Sequence, residues 1–131
     1  MTTFNGETEL NESGDVFFTE RTMEFRGATT IHPSNFFDDV RAGLGAKLNI
    51  YNTFTLPQST DVQGNYNGLP RAQLNIMTGG TFERTTGTST SSISTDVTVA
   101  GTLQLASSGQ TSFSSQLQIT SGTIDLQNSS P

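Results

Sequence analysis

The sequence predicts an all-β protein built as a short β-solenoid, a β-helix-like stack of four or five rungs. Three observations lead there. The chain repeats itself: Val97-Thr98-Val99, Gly101-Thr102 and Leu103-Gln104-Leu105 are matched by Leu117-Gln118-Ile119, Gly122-Thr123 and Ile124-Asp125-Leu126. Within each copy apolar and polar residues alternate, the period-2 pattern of a half-buried strand. Ser, Thr, Gly, Gln and Asn fill the remaining positions, so that only 31% of residues are hydrophobic and 14% charged, well below the usual ~45% and ~25%.

The unit extends upstream. "QLNIMTGGTFER" supplies Leu74, Ile76, a Gly-Gly-Thr step and Phe82; "KLNIYNTFTL" supplies Leu48, Ile50, Phe54 and Leu56. The first apolar positions, Leu48, Leu74, Val97 and Leu117, recur at a spacing that shortens from 26 to 20 residues. A repeat of this length with two or three short strands per copy is the signature of a solenoid, in which each copy is one rung and buries its apolar face on its neighbours. Leu48, Leu74, Val97 and Leu117 then stack inward, while Asn49, Asn75, Thr98 and Gln118 form an outward polar ladder. Ile93 and Phe113, each four residues ahead of the next unit, continue the correspondence, with Leu44 and Leu69 as their upstream counterparts. Low charge suits this arrangement, because like charges stacked at the inter-strand spacing of ~4.8 Å repel. The alternative is a pair of antiparallel hairpins, "VTVAGTLQL" and "QITSGTIDL", packed into a sandwich or jelly roll. Shortening repeats predict a taper, which a sandwich does not.

In chain order, residues 1–15 read as an acidic N-terminal arm, and 16–131 as a single β-rich domain. "DVFFTERTMEF" is a fainter first copy carrying Phe17, Met23 and Phe25. "HPSNFFDDVRAGLG" departs from the pattern. Ser34 can cap a helix, acids follow in its first turns and a Gly ends it, so a short helix or loop insertion is expected at about 32–45.

A net charge of −6 argues against nucleic acid or an anionic membrane as partner, since both require basic surface. Most acids fall early; after Arg84 only Asp96 and Asp125 are charged. There is no Cys, hence no disulfide framework and no thiolate metal site. The N-terminus lacks the basic and apolar segments of a signal peptide, and no run is long enough to span a bilayer, so synthesis in a cytosol is expected.

Little in the sequence points to chemistry. His32 is the single His, which leaves a zinc site short of ligands. No G-x-S-x-G is present to mark a serine nucleophile. Asp38-Asp39, and Asp61 with Asn65 and Asn67, lack the order and closing Glu of a calcium loop. Asp96 and Asp125 are the only acids in the clearest rungs and fall at different rung positions, too few for carboxylate-pair hydrolysis. Gly79-Gly80 reads as a bend, since no Lys-Ser/Thr follows as in a phosphate loop. No catalytic, cofactor-binding or metal-ligating residue is therefore expected, and no cofactor.

What remains is association. A few rungs bury little surface, and both ends of a stack expose unpaired strand edges. The large apolar residues outside clear rung positions, Phe4, Phe36, Phe37, Tyr51, Tyr66 and Leu69, are the candidates for subunit or partner contact. The extended arm is a further candidate.

The rungs "GTLQL", "GTIDL" and "GTFER", with polar turns between them, span roughly Leu44 to Gln127. In a short, acidic, Cys-free chain they resemble small structural proteins of tailed bacteriophages, head-decoration (cement) proteins most and tail or fibre segments next. The resemblance implies a non-enzymatic protein made in the host cytoplasm and carried on the capsid surface of the virion. It implies a homotrimer bound to the major capsid protein or another structural protein and stabilising the shell. The alternative function is a tail-fibre or adhesin segment that binds a host-surface glycan.

Overall fold

The computed structural model describes residues 1–12, 16–18, 22–33, 40–42, 45–56, 62–63, 72–84, 91–105 and 111–126. Its first turn runs through β1 (Thr2–Phe4), β2 (Thr8–Glu12) and β3 (Val16–Phe18). The second comprises β4 (Thr22–Phe25), β5 (Thr29–Pro33) and β6 (Val40–Ala42). The third comprises β7 (Lys47–Ile50), β8 (Thr53–Leu56) and β9 (Val62–Gln63). β10 (Gln73–Ile76), β11 (Thr81–Arg84) and β12 (Ser91–Ile93) make the fourth. β13 (Asp96–Val99), β14 (Thr102–Leu105) and β15 (Thr111–Phe113) make the fifth. β16 (Leu117–Ile119) and β17 (Thr123–Asp125) begin a sixth.

Each strand pairs in parallel with its counterpart one turn away, giving three sheets: β1-β4-β7-β10-β13-β16, β2-β5-β8-β11-β14-β17 and β3-β6-β9-β12-β15. The molecule is thus a three-faced β-solenoid. The antiparallel sandwich is excluded by the pairing, because every ladder among the described residues is parallel.

The register puts the repeated apolar residues in columns. Met23, Leu48, Leu74, Val97 and Leu117 align on the first face, followed two residues on by Phe4, Phe25, Ile50, Ile76, Val99 and Ile119. Phe54, Phe82, Leu103 and Ile124 align on the second face. The middle members of these columns, from Leu48 to Leu103, are at most 1% exposed and form one core. Phe4 stacks on Phe25 with ring centroids 5.0 Å apart, Phe25 meets Phe54 edge-on at 4.9 Å, and Phe54 stacks on Phe82 at 5.6 Å. This aromatic run crosses from the first face to the second and ties them together, each ring pair adding about 0.5–1.5 kcal/mol to its area burial.

Between the first and second faces the chain turns in two to four residues, and here the sequence is most constrained. Gly6 and Gly27 occupy the corner in the first two turns, Asn52 in the third, and Gly80, Gly101 and Gly122 in the last three. A Cβ built on Gly27, Gly80, Gly101 or Gly122 would lie 2.0–2.3 Å from a carbonyl oxygen of the preceding turn. Those carbonyls are in use: Thr102 N–H donates to Gly80 O and Thr123 N–H to Gly101 O, both at 2.9 Å. Asn52 makes its own arrangement, its amide Nδ2 donating to Arg26 O at 3.2 Å and its Oδ1 accepting from Thr53 N–H at 2.8 Å.

Three expectations are corrected here. Residues 2–12 are not an extended arm: β1 and β2 pair with β4 and β5 as the first turn of the stack. Their Thr-rich alternation satisfies backbone groups against the second turn, although it offers few apolar side chains. The segment expected as a helix or loop at about 32–45 is strand at both ends, with β5 reaching Pro33 and β6 covering Val40–Ala42; residues 34–39 lie outside the described residues. On the third face Ile93 pairs with Val62, and Val62 with Val40, so these residues, not Leu69 and Leu44, continue the Ile93–Phe113 column.

Candidate interaction surfaces

Polar ladders cover the outward faces. Glu24, Asn49, Asn75, Thr98 and Gln118 share one row, with Thr3 at its start. Within it Asn75 Nδ2 donates to Asn49 Oδ1 at 2.9 Å. On the second face Thr30, Thr55, Glu83, Gln104 and Asp125 share a row, and Thr55 Oγ1 donates to Glu83 Oε1 at 2.7 Å. Neighbouring turns are thus linked on both faces, and the charges that these rows carry are all acidic: Glu24 in the first, and Glu9, Glu83 and Asp125 in the second.

Arg26 sets a cation beside Glu24. Its guanidinium sits 4.3 Å from the centre of the Tyr51 ring, and its Nε donates to Glu24 Oε2 at 2.9 Å. Tyr51 is half-buried beneath it. A tyrosine face already covered by an arginine is not an open platform for a sugar ring. Asp96 is likewise engaged: Ser115 Oγ donates to its Oδ1, as does Gln116 N–H at 3.4 Å.

Of the sequence-derived contact candidates, Phe4 packs on the core at the N-terminal end of the stack, half-buried against Phe25. Tyr51 lies at a corner of the third turn, on the solenoid's side. Phe36, Phe37, Tyr66 and Leu69 lie outside the described residues, as do Asp38, Asp39, Asp61, Asn65 and Asn67. His32 falls within β5, paired with Asn11. No cluster of three or more His, Asp or Glu that could hold a metal occurs among the described residues.

The structure adds candidates that side-chain type alone did not flag. Ile119 is 51% exposed and Leu126 57% exposed, although both continue inward columns. They lie in the sixth turn, the last among the described residues; Leu117 and Ile124 beside them are only partly buried. At the opposite end Met1 is 81% exposed. Among the described residues β16 and β17 are the terminal strands of their sheets, so the C-terminal end of the stack exposes apolar members of the core columns. Following each column to its last member identifies these residues, a signal carried by register rather than by composition.

Among the described residues no helix is long and apolar enough to cross a membrane. No family model, curated relative or solved structure matches the chain.

Proposed function

We propose that the protein is a non-enzymatic structural protein that works by docking in a larger assembly, in the manner of a phage head-decoration protein stabilising the outer capsid surface. The observation that carries this is the uncovered C-terminal end, where Ile119 and Leu126 extend a rigid, otherwise polar body with an apolar tip. A regular solenoid loses little conformational freedom on binding, so apolar area at its tip converts efficiently into affinity. Its sides are polar rows of Thr, Asn, Gln and acidic residues, linked between turns at Asn49–Asn75 and Thr55–Glu83, and stay soluble beside a protein shell. A homotrimer, as the sequence led us to expect, would present three such tips together and bind with the strength of linked contacts. Attachment through a flexible N-terminal arm has no place in this scheme, because β1 and β2 belong to the stack.

The test is the copy number of the chain in particles purified from its source, by quantitative mass spectrometry after heads and tails are separated. Copies in proportion to the major capsid protein in the head fraction support the proposal. Confinement to tails, or absence from particles, overturns it.

A further inference from the structure

Gly6 needs no glycine for the fold of its own chain. A Cβ placed on it would meet nothing within 4 Å, and its φ lies outside the left-handed region. Yet it stands at the head of the corner column in which Gly27, Gly80, Gly101 and Gly122 are each required, because their Cβ positions run into the carbonyl of the preceding turn. In a parallel stack these Cβ directions agree from turn to turn. The Cβ of Gly6 therefore points off the N-terminal end, into the space that a preceding turn would occupy.

We propose that this space receives the C-terminal turn of a second copy, so that the solenoid continues from one chain to the next. The two ends fit in register. Extending the columns by one turn sets Phe4 on Ile119, Thr3 beyond Gln118 in the outward polar row, and Gly6 over Gly122 in the corner column. On the second face Leu10, which is in register with Ile31, follows Leu126. Ile119 is thereby covered by Phe4, Leu126 takes Leu10 as its register partner, and the terminal strands β16 and β17 pair in parallel with β1 and β2. The contact joins two different surfaces, so it is heterologous and builds an open series rather than a closed ring unless the rotation closes.

One pair opposes the joint. Asp125 ends the outward row that Glu9 begins, and the junction sets these carboxylates in neighbouring positions. Like charges so placed are repulsive and screened by salt, so association strengthens as ionic strength rises, and Asp125→Asn strengthens it at low salt. The joint takes the same C-terminal end that would dock on a shell, so only the terminal copy of a series keeps that end for docking and a closed trimer of tips excludes the series; the inference stands whether or not the protein is a capsid component.

Sedimentation of the full chain over a dilution series, at low and high salt, tests it. The expected result is a concentration-dependent series of species growing with salt. Gly6→Val and Ile119→Lys each reduce it to monomer with an unchanged thermal transition. Mixed together they give a one-to-one heterodimer and nothing larger, because only one joint in the pair has two intact ends. If Gly6→Val loses the fold, substoichiometric Ile119→Lys serves in its place: it shortens wild-type species if the joint is head-to-tail and leaves their size unchanged if it is not. Monomer at all concentrations, a closed trimer without larger species, or undiminished association in folded Gly6→Val overturns the proposal.

Discussion

Gly101 lies so close over Gly80 that a Cβ on Gly101 would stand 2.2 Å from the Gly80 carbonyl oxygen. That oxygen accepts the N–H of Thr102, so it cannot withdraw without breaking the ladder between β11 and β14. The neighbouring Gly79 is a different case. It has φ +84 and open space where a side chain would go. Gly101→Ala is therefore expected to cost more than about 3 kcal/mol, through backbone displacement across two turns. Gly79→Ala should cost only about 1–2 kcal/mol, the strain of a left-handed alanine. Urea unfolding of the two variants measures the difference; equal costs would count against a tightly stacked corner.

The core columns predict a gradient of sensitivity along the solenoid axis. Phe82 lies in the fourth turn, 1% exposed, between Phe54 and Leu103. Phe82→Ala removes a full ring from a site covered on both sides and should cost about 3–5 kcal/mol. Ile119 is half in solvent at the end, so Ile119→Ser should change the stability of the isolated chain by less than about 1 kcal/mol. Chemical denaturation at concentrations where the chain is dispersed would show the contrast. A large loss from Ile119→Ser would mean that the sixth turn is covered.

These contrasts also show what the sequence could and could not reveal. The inward and outward rows from Leu48 to Ile124 were legible because alternation and spacing survive in every copy. The first turn was not, because its strands carry Thr2, Thr8 and Glu9 at positions where a lone reading sees only a polar, acidic arm. Their strand character comes from pairing with Met23 and Thr29, a tertiary relationship that no local pattern announces. The third face was blurred for a similar reason. Long polar connections separate its short strands from the repeat, so counting back from Leu74 and Leu48 reached Leu69 and Leu44 instead of Val62 and Val40. Of the contact candidates, Phe4 was found by side-chain type and does lie at an end of the stack. Ile119 and Leu126 were passed over as ordinary rung residues; what sets them apart is their place in the last described turn.

The Asn49–Asn75 hydrogen bond links adjacent turns on the outward side of the first face. Both side chains are half-buried, and an amide pair in that setting contributes about 0.5–1.5 kcal/mol. A double-mutant cycle with Asn49→Ala and Asn75→Ala is expected to give a coupling in that range. Thr98, which neighbours Asn75 on the other side, serves as the control: coupling between Asn49→Ala and Thr98→Ala, two turns apart, should be near zero. A coupling as large across two turns as across one would show that the ladder acts as a unit.

Arg84 occupies a position that the neighbouring turns give to Leu56 and Leu105. It is 4% exposed, and its Nη1 donates to Thr111 Oγ1 at 3.2 Å, reaching from β11 to the third face one turn on. A buried guanidinium is expensive to desolvate, and the hydrogen bonds that hold it offset that cost only in part. The column itself shows which group packs there without any such cost. Arg84→Leu or Arg84→Met, which keep the aliphatic bulk of the stem, should therefore stay within about 1.5 kcal/mol of the wild type. Arg84→Ala leaves a void beside Leu56 and Leu105 and should destabilise by about 2–4 kcal/mol. What the arginine contributes is a directed link between the second and third faces, so these apolar variants should lose order there. Amide exchange across β12 and β15 is expected to speed up in Arg84→Met even as the global unfolding midpoint changes little. If exchange slows uniformly instead, Arg84 has no share in fixing how the third face docks.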